Sequence, residues 1–114
     1  MVDDHDLFRE ALRDLVLAVP EFVLVGEAES GEAALEAVEA LSPRMLIMDK
    51  RMPGMGGVEA TRLLSARHPH LVVLLVSLEV PDSDLMRSCG AAAFLRKQQL
   101  TPRALREVWQ AHGS

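Results

Sequence analysis

A chain of 114 residues, 49% of them hydrophobic, has room for one compact domain with its own core and none for a second. Its formal net charge of −5 comes with intermixed signs and no basic stripe, which argues against direct nucleic-acid binding by this chain. A lone cysteine, Cys89, no apolar stretch near the roughly 20 residues of a membrane span, and no signal-peptide pattern together predict a cytoplasmic protein without a disulfide or a membrane anchor.

In chain order, Met1 and Val2 are a short apolar start, a first strand of two residues running into Asp3 and Asp4. Phe8, Leu12, Leu15 and Val16 then recur at helical spacing behind the candidate cap Asp6, and Pro20 closes this first helix. Phe22 to Val25 is short, apolar and partly β-branched, a second strand ending at Gly26. Ser30 can cap a second helix whose stripe is Ala34, Leu35, Val38 and Leu41. Met45 to Met48 is the third strand; it stops on Asp49 and breaks into the Met52-Pro53-Gly54 turn.

The third helix runs from Gly57 to Arg67 with Val58, Leu63 and Leu64 facing inward, until His68-Pro69-His70 stops it. Leu71 to Val76 is the most continuous apolar run, as expected of a parallel strand covered on both faces, and it ends at Ser77. Pro81-Asp82-Ser83-Asp84 opens a short fourth helix that Gly90 ends, and Ala91 to Leu95 is a fifth strand leading to Arg96-Lys97. Thr101 followed by Pro102 opens a fifth helix with Leu105 and Val108 on its apolar stripe. Strict alternation of strand and helix predicts an α/β fold, a parallel sheet with helices on both faces.

The polar residues of interest all fall where strands end: Asp3 and Asp4, Asp49, Ser77 and Lys97. Open parallel sheets bind ligands at that edge, and three converging carboxylates are naturally held together by a hard divalent cation. In the identity, order and approximate spacing of these residues, the chain resembles a response-regulator receiver domain of two-component signalling over its whole length. Asp3-Asp4-His5 and Arg51-Met52-Pro53-Gly54 are similar to the subfamily that usually carries a helix-turn-helix output domain. On this reading residues 1–114 are the receiver alone, and DNA is reached only through an output domain outside them.

The resemblance implies a flavodoxin-like, doubly wound five-stranded sheet in the order 2-1-3-4-5. It makes Asp49 the phospho-acceptor, receiving a phosphoryl group from a histidine kinase. It makes Mg²⁺ the cofactor, held by Asp4, Asp49 and the main-chain carbonyl of Arg51, with Asp3 acting through a metal-bound water. Lys97 and the Ser77 hydroxyl would contact phosphoryl oxygens, and Ser77 and Phe94 would form the switch that re-forms the face of the fourth helix, fifth strand and fifth helix for a partner or a homodimer. The resemblance also implies transcription regulation as the output, and a domain that takes part in its own phosphotransfer and dephosphorylation without being a conventional enzyme.

Plainer readings stand beside these. Asp3 and Asp4 can cap the first helix, Lys97 can be a solvated lysine, and Ser77 can be a strand-ending turn residue. Phe94 is either the switch aromatic or plain core, Trp109 either a core edge or an interface contact, and His5 receives no role. Cys89 fits a small, semi-buried slot.

Four departures from the family pattern carry consequences. The first strand is too short for a central position, the family's proline after the lysine is Gln98 and leaves that loop less tightly fixed, Gly56 removes a helix cap, and bulky Leu78 follows Ser77. The resemblance also implies that Arg51 and Glu79, two positions beyond Asp49 and Ser77, flank the path of a hydrolytic water. The competing functions are a non-phosphorylated interaction module on the same fold, favoured by the short strand, and a small-ligand binder or hydrolase, disfavoured by the lack of a glycine-rich phosphate loop.

Overall fold

The computed structural model describes residues 1–3, 5–50, 54–78 and 89–113. Asp4, Arg51, Met52, Pro53, Glu79, the predicted fourth helix from Pro81 and Ser114 lie outside the described residues. The elements are α1 (Asp6–Leu17), α2 (Gly31–Leu41), β1 (Met45–Asp49), α3 (Gly57–Arg67), β2 (Val72–Ser77), β3 (Ala93–Arg96), a 3-10 turn (Lys97–Gln99) and α4 (Pro102–His112). The predicted fifth helix is therefore α4.

All strand pairing is parallel. Met45 to Asp49 of β1 runs in register with Val72 to Val76 of β2, and Leu74 to Ser77 of β2 with Ala93 to Arg96 of β3. On the far side of β1, Val2 bridges both Met48 and Ala28. The spatial order is thus Ala28, Val2, β1, β2, β3, which is the 2-1-3-4-5 order of a flavodoxin-like fold.

The second predicted strand is corrected. Phe22 to Val25 forms no regular strand, and that part of the chain joins the sheet only through the Ala28 bridge. The cause is nonlocal: a strand needs a partner along its length, and here only Met1 to Asp3 occupy the neighbouring position. Val23 and Val25 are exposed as a result.

The helix boundaries follow from local chemistry. The Ser30 hydroxyl accepts from the Ala33 N–H at 3.1 Å and opens α2; Thr101 does the same for Ala104 at 3.0 Å, with Pro102 in the first turn of α4. Ser42, with φ 48°, ends α2 in the left-handed region. At α1 the cap position falls on His5, and Asp6, expected as the cap, is instead the first helical residue. Gly56 caps α3 without a side-chain hydrogen bond, and the Thr61 hydroxyl donates to the Gly57 carbonyl at 2.6 Å within its first turn.

Two cores flank the sheet. Val2, Met48, Val73 and Leu75 pack against Ala34, Val38, Ala60 and Leu64 of α2 and α3. Met1, Ile47, Leu74 and Val76 pack on the other face against Leu12 and Val16 of α1 and Leu105 of α4. Every residue of β2 is buried, so this strand is apolar on both faces up to Ser77, and each Val or Leu contributes about 1.5–3 kcal/mol. Leu63, expected to face inward, lies only partly buried, and Ala60, Thr61 and Leu64 are the buried face of α3. Among the described residues no helix is long and apolar enough to cross a membrane.

Candidate functional site

The fold brings Asp3, Asp49 and Lys97 to one edge of the sheet because each follows or ends a parallel strand position, and neighbouring strands finish together. Asp49 is held by its own backbone on one side: its N–H donates to the Val2 carbonyl at 2.9 Å, while the next amide, Lys50, donates to Val76 at 2.8 Å. Ser77 lies one residue beyond Val76, the register partner of Asp49, and is itself buried. The chain then turns under α3, where the Gly57 N–H donates to the Lys50 carbonyl at 2.9 Å. A Cβ on Gly57 would stand 2.1 Å from the Asp49 carbonyl oxygen, so only glycine permits α3 to start this close to the acid.

Electrostatically the site is a buried acid pair bridged by one ammonium. Lys97 Nζ donates to Asp3 Oδ2 at 3.2 Å and to Asp49 Oδ2 at 3.1 Å. The side chains are 14% exposed for the lysine, 1% for Asp3 and 5% for Asp49, so the ammonium is the charge that offsets two nearly dry carboxylates. Burial by itself would raise the Asp3 carboxyl, but the His5 N–H and the Lys97 ammonium outweigh it and hold Asp3 below its ordinary value. The His5 N–H donates to Asp3 Oδ1 at 2.8 Å, and its Nδ1 lies 3.2 Å from the same oxygen.

The lysine is itself positioned. Its Nζ stands 3.9 Å from the centroid of the Phe8 ring on α1, a cation–π contact in a partly dry setting. The loop after β3 is also braced: the Arg96 N–H donates to Gln99 Oε1 at 3.0 Å, and residues 97–99 form a 3-10 turn. On the opposite rim, Glu32 Oε1 accepts from the Met55 N–H at 3.0 Å, tying α2 to the loop that follows Asp49. Gly54 stands beside it with φ 74°, a left-handed conformation that favours glycine.

Asp3, His5 and Asp49 each present a ligand atom, all within 4.8 Å of one another. Two carboxylates suit a hard divalent cation such as Mg²⁺, and the bridging ammonium shows that the acids need positive charge. Of the predicted ligands, Asp4 and the Arg51 carbonyl lie outside the described residues. Phe94 is partly buried, opposite Leu75 in the register, and packs on the α2–α3 core.

The sequence model of the response regulator receiver domain matches residues 1–110. The chain belongs to this family. Among curated relatives, the transcriptional regulatory protein DegU of Brevibacillus brevis is 40% identical over 100 residues, covering 86% of this chain and 42% of DegU. The response regulator GacA of Pseudomonas protegens is 40% identical over 99 residues, covering 85% of this chain and 46% of GacA. This receiver therefore spans about half the length of the curated relatives it matches. Among solved structures, the signal receiver domain of the response regulator NarL from Mycobacterium tuberculosis superposes with a TM-score of 0.87 at 32% identity, covering 97% of this chain and 91% of that one. The receiver of Thermotoga maritima CheB gives 0.86 at 28% identity, covering 99% and 93%.

Several contacts of this receiver site escape a reading of the sequence. His5 could be suspected only from its place beside the acid pair, and Phe8 read as one more apolar residue on the α1 stripe. Glu32 carries no signal at all, because its partner is a backbone amide brought in by tertiary folding.

Proposed function

We propose that this receiver is a phosphorylation-controlled switch, with Asp49 as the acceptor of a phosphoryl group from a histidine kinase. The observation that carries this reading is the pair of buried acids, Asp3 and Asp49, bridged by Lys97 at the ends of parallel strands. An oxygen of the Asp49 carboxylate attacks the phosphorus of a phosphohistidine in line. The P–O bond forms as the P–N bond breaks, and the electron pair leaves on the imidazole nitrogen, which takes a proton.

Mg²⁺ held by Asp49, Asp4 and the Arg51 carbonyl, with Asp3 through a water, would neutralise charge on the phosphoryl oxygens. Lys97 would exchange its contact with Asp49 for a phosphoryl oxygen, while staying over the Phe8 ring. The Ser77 hydroxyl would donate to another oxygen, and Phe94 would follow it, changing the surface around β3 and α4. Such a surface would serve a partner or a second copy of the chain, and DNA would be engaged through an output domain like those of the regulators it resembles.

Incubation with acetyl phosphate and Mg²⁺, read by intact mass, tests the proposal. One phosphoryl group should be added to the parent chain and none to Asp49→Asn. A full gain by the variant would remove Asp49 from its assigned role.

A further inference from the structure

Arg9 follows Phe8 on α1, and its side chain is only 13% exposed. Its guanidinium gathers oxygens from three stretches of the chain. Nη1 donates to the Asp3 carbonyl at 2.8 Å. Nη2 donates to Asp6 Oδ1 in the first turn of α1 and to Glu29 Oε1 at 3.4 Å, while Nε stands 3.8 Å from Glu27 Oε1. Glu27 is held in turn by Arg13, one turn along α1, whose Nε and Nη2 donate to its two carboxylate oxygens at 2.8 and 2.9 Å.

The contact with Asp3 differs from the others because it falls on the backbone of a site residue. The Val2 carbonyl accepts from the Asp49 N–H at 2.9 Å, and the Asp3 N–H donates to Ala28 at 3.1 Å, so both belong to the sheet. The next carbonyl, that of Asp3, leaves the strand pairing and is taken by Arg9. A peptide unit is planar, so holding this carbonyl fixes the direction in which the chain runs from Asp3 to Asp4. The Asp3 carboxylate is oriented separately, by the His5 N–H at 2.8 Å and Lys97 Nζ at 3.2 Å. A planar guanidinium can hold one carbonyl and reach acids on two other segments at once, whereas an ammonium is a point charge on a flexible stem. Asp6, Glu27 and Glu29 offset the charge of Arg9 and fix its plane.

We propose that Arg9 is a positioning residue of the phosphorylation site: through the Asp3 carbonyl it sets how the Asp3-Asp4 pair meets the divalent cation. The proposal rests on the reading of Asp3, Asp4 and Asp49 as the cation site. Replacing a group that orients metal ligands typically lowers metal affinity about 10–100-fold, and a contact made through the backbone belongs at the lower end.

The test titrates Mn²⁺, a paramagnetic stand-in for Mg²⁺, and reads the bound fraction by electron paramagnetic resonance. Arg9→Met keeps much of the stem, removes the fork, and should raise the dissociation constant about tenfold. Arg9→Lys keeps the charge without the fork and should raise it at least about threefold; it decides alone if Arg9→Met does not fold. Arg13→Met removes the neighbouring ion pair without touching Asp3, and should stay within about twofold of the parent. Parent-like affinity in the folded Arg9 variants, or an equal loss in Arg13→Met, would overturn the positioning role while leaving the cation site in place. A parent chain that binds no Mn²⁺ would overturn the cation-site reading and this proposal with it.

Discussion

Replacing Lys97 by Met removes the ammonium that lies 3.2 Å from Asp3 and 3.1 Å from Asp49 but keeps most of the apolar stem beside Phe8. Breaking a buried ion pair by deleting one partner costs about 3–5 kcal/mol, and the partial exposure of the lysine places this case near 3. For a chain of this size that loss lowers the thermal midpoint by roughly 10 °C, measured in EDTA at pH 7. The sign with pH follows from Asp3, whose carboxyl is held below its ordinary value of 3.8. In the parent, the stability Asp3 contributes is present above that value and is lost as pH falls through the lower, folded one. In Lys97→Met a principal cause of the depression is gone. The deficit against the parent should therefore be full at neutral pH and shrink as acid supplies the protons that relieve the two carboxylates. Saturating Mg²⁺ should also shrink it, by replacing one positive charge with another. Equal midpoints for parent and variant in EDTA at pH 7 would refute the view that the ammonium offsets two buried acids.

Phe8→Ala should slow phosphorylation of Asp49 roughly threefold to tenfold, the range of a partly desolvated cation–π contact, while leaving the acceptor intact; unchanged single-turnover rates would deny Phe8 a positioning role. Gly57→Ala should unfold the domain or lower its stability by roughly 3 kcal/mol or more, because the new methyl meets the Asp49 carbonyl; denaturant titration with a parent-like midpoint would contradict the close approach of α3. Mg²⁺ at about a hundred times its dissociation constant should stabilise the parent by roughly 2.7 kcal/mol, and Asp4→Ala should lose most of that gain in the same thermal-shift assay.

How far the sequence can be read depends on whether a feature is local. The start of α2 at Ser30, the start of α4 at Thr101-Pro102 and the buried run of β2 follow from neighbours in the chain, and they appear where the residues predict. Asp49 and Lys97 were legible as a site because both fall immediately at strand ends. The failures are pairings between distant segments. Phe22 to Val25 has strand composition, yet it forms none because its partner position holds only Met1 to Asp3. The ring of Phe8 over Lys97 and the bond from Met55 to Glu32 depend on tertiary placement that periodicity does not encode. The bracing of the Lys97 loop by Gln99 likewise needs a backbone turn that composition alone does not signal.

The central claim concerns the chemistry of one carboxylate, and borohydride trapping tests it most directly. An aspartyl phosphate is an acyl phosphate, which borohydride reduces to homoserine while an ordinary aspartate is untouched. After treatment with acetyl phosphate and Mg²⁺, reduction and peptide mapping, homoserine is expected at position 49 with Asp3 and Asp4 unchanged. Homoserine at another acid, with Asp49 intact, would contradict the account.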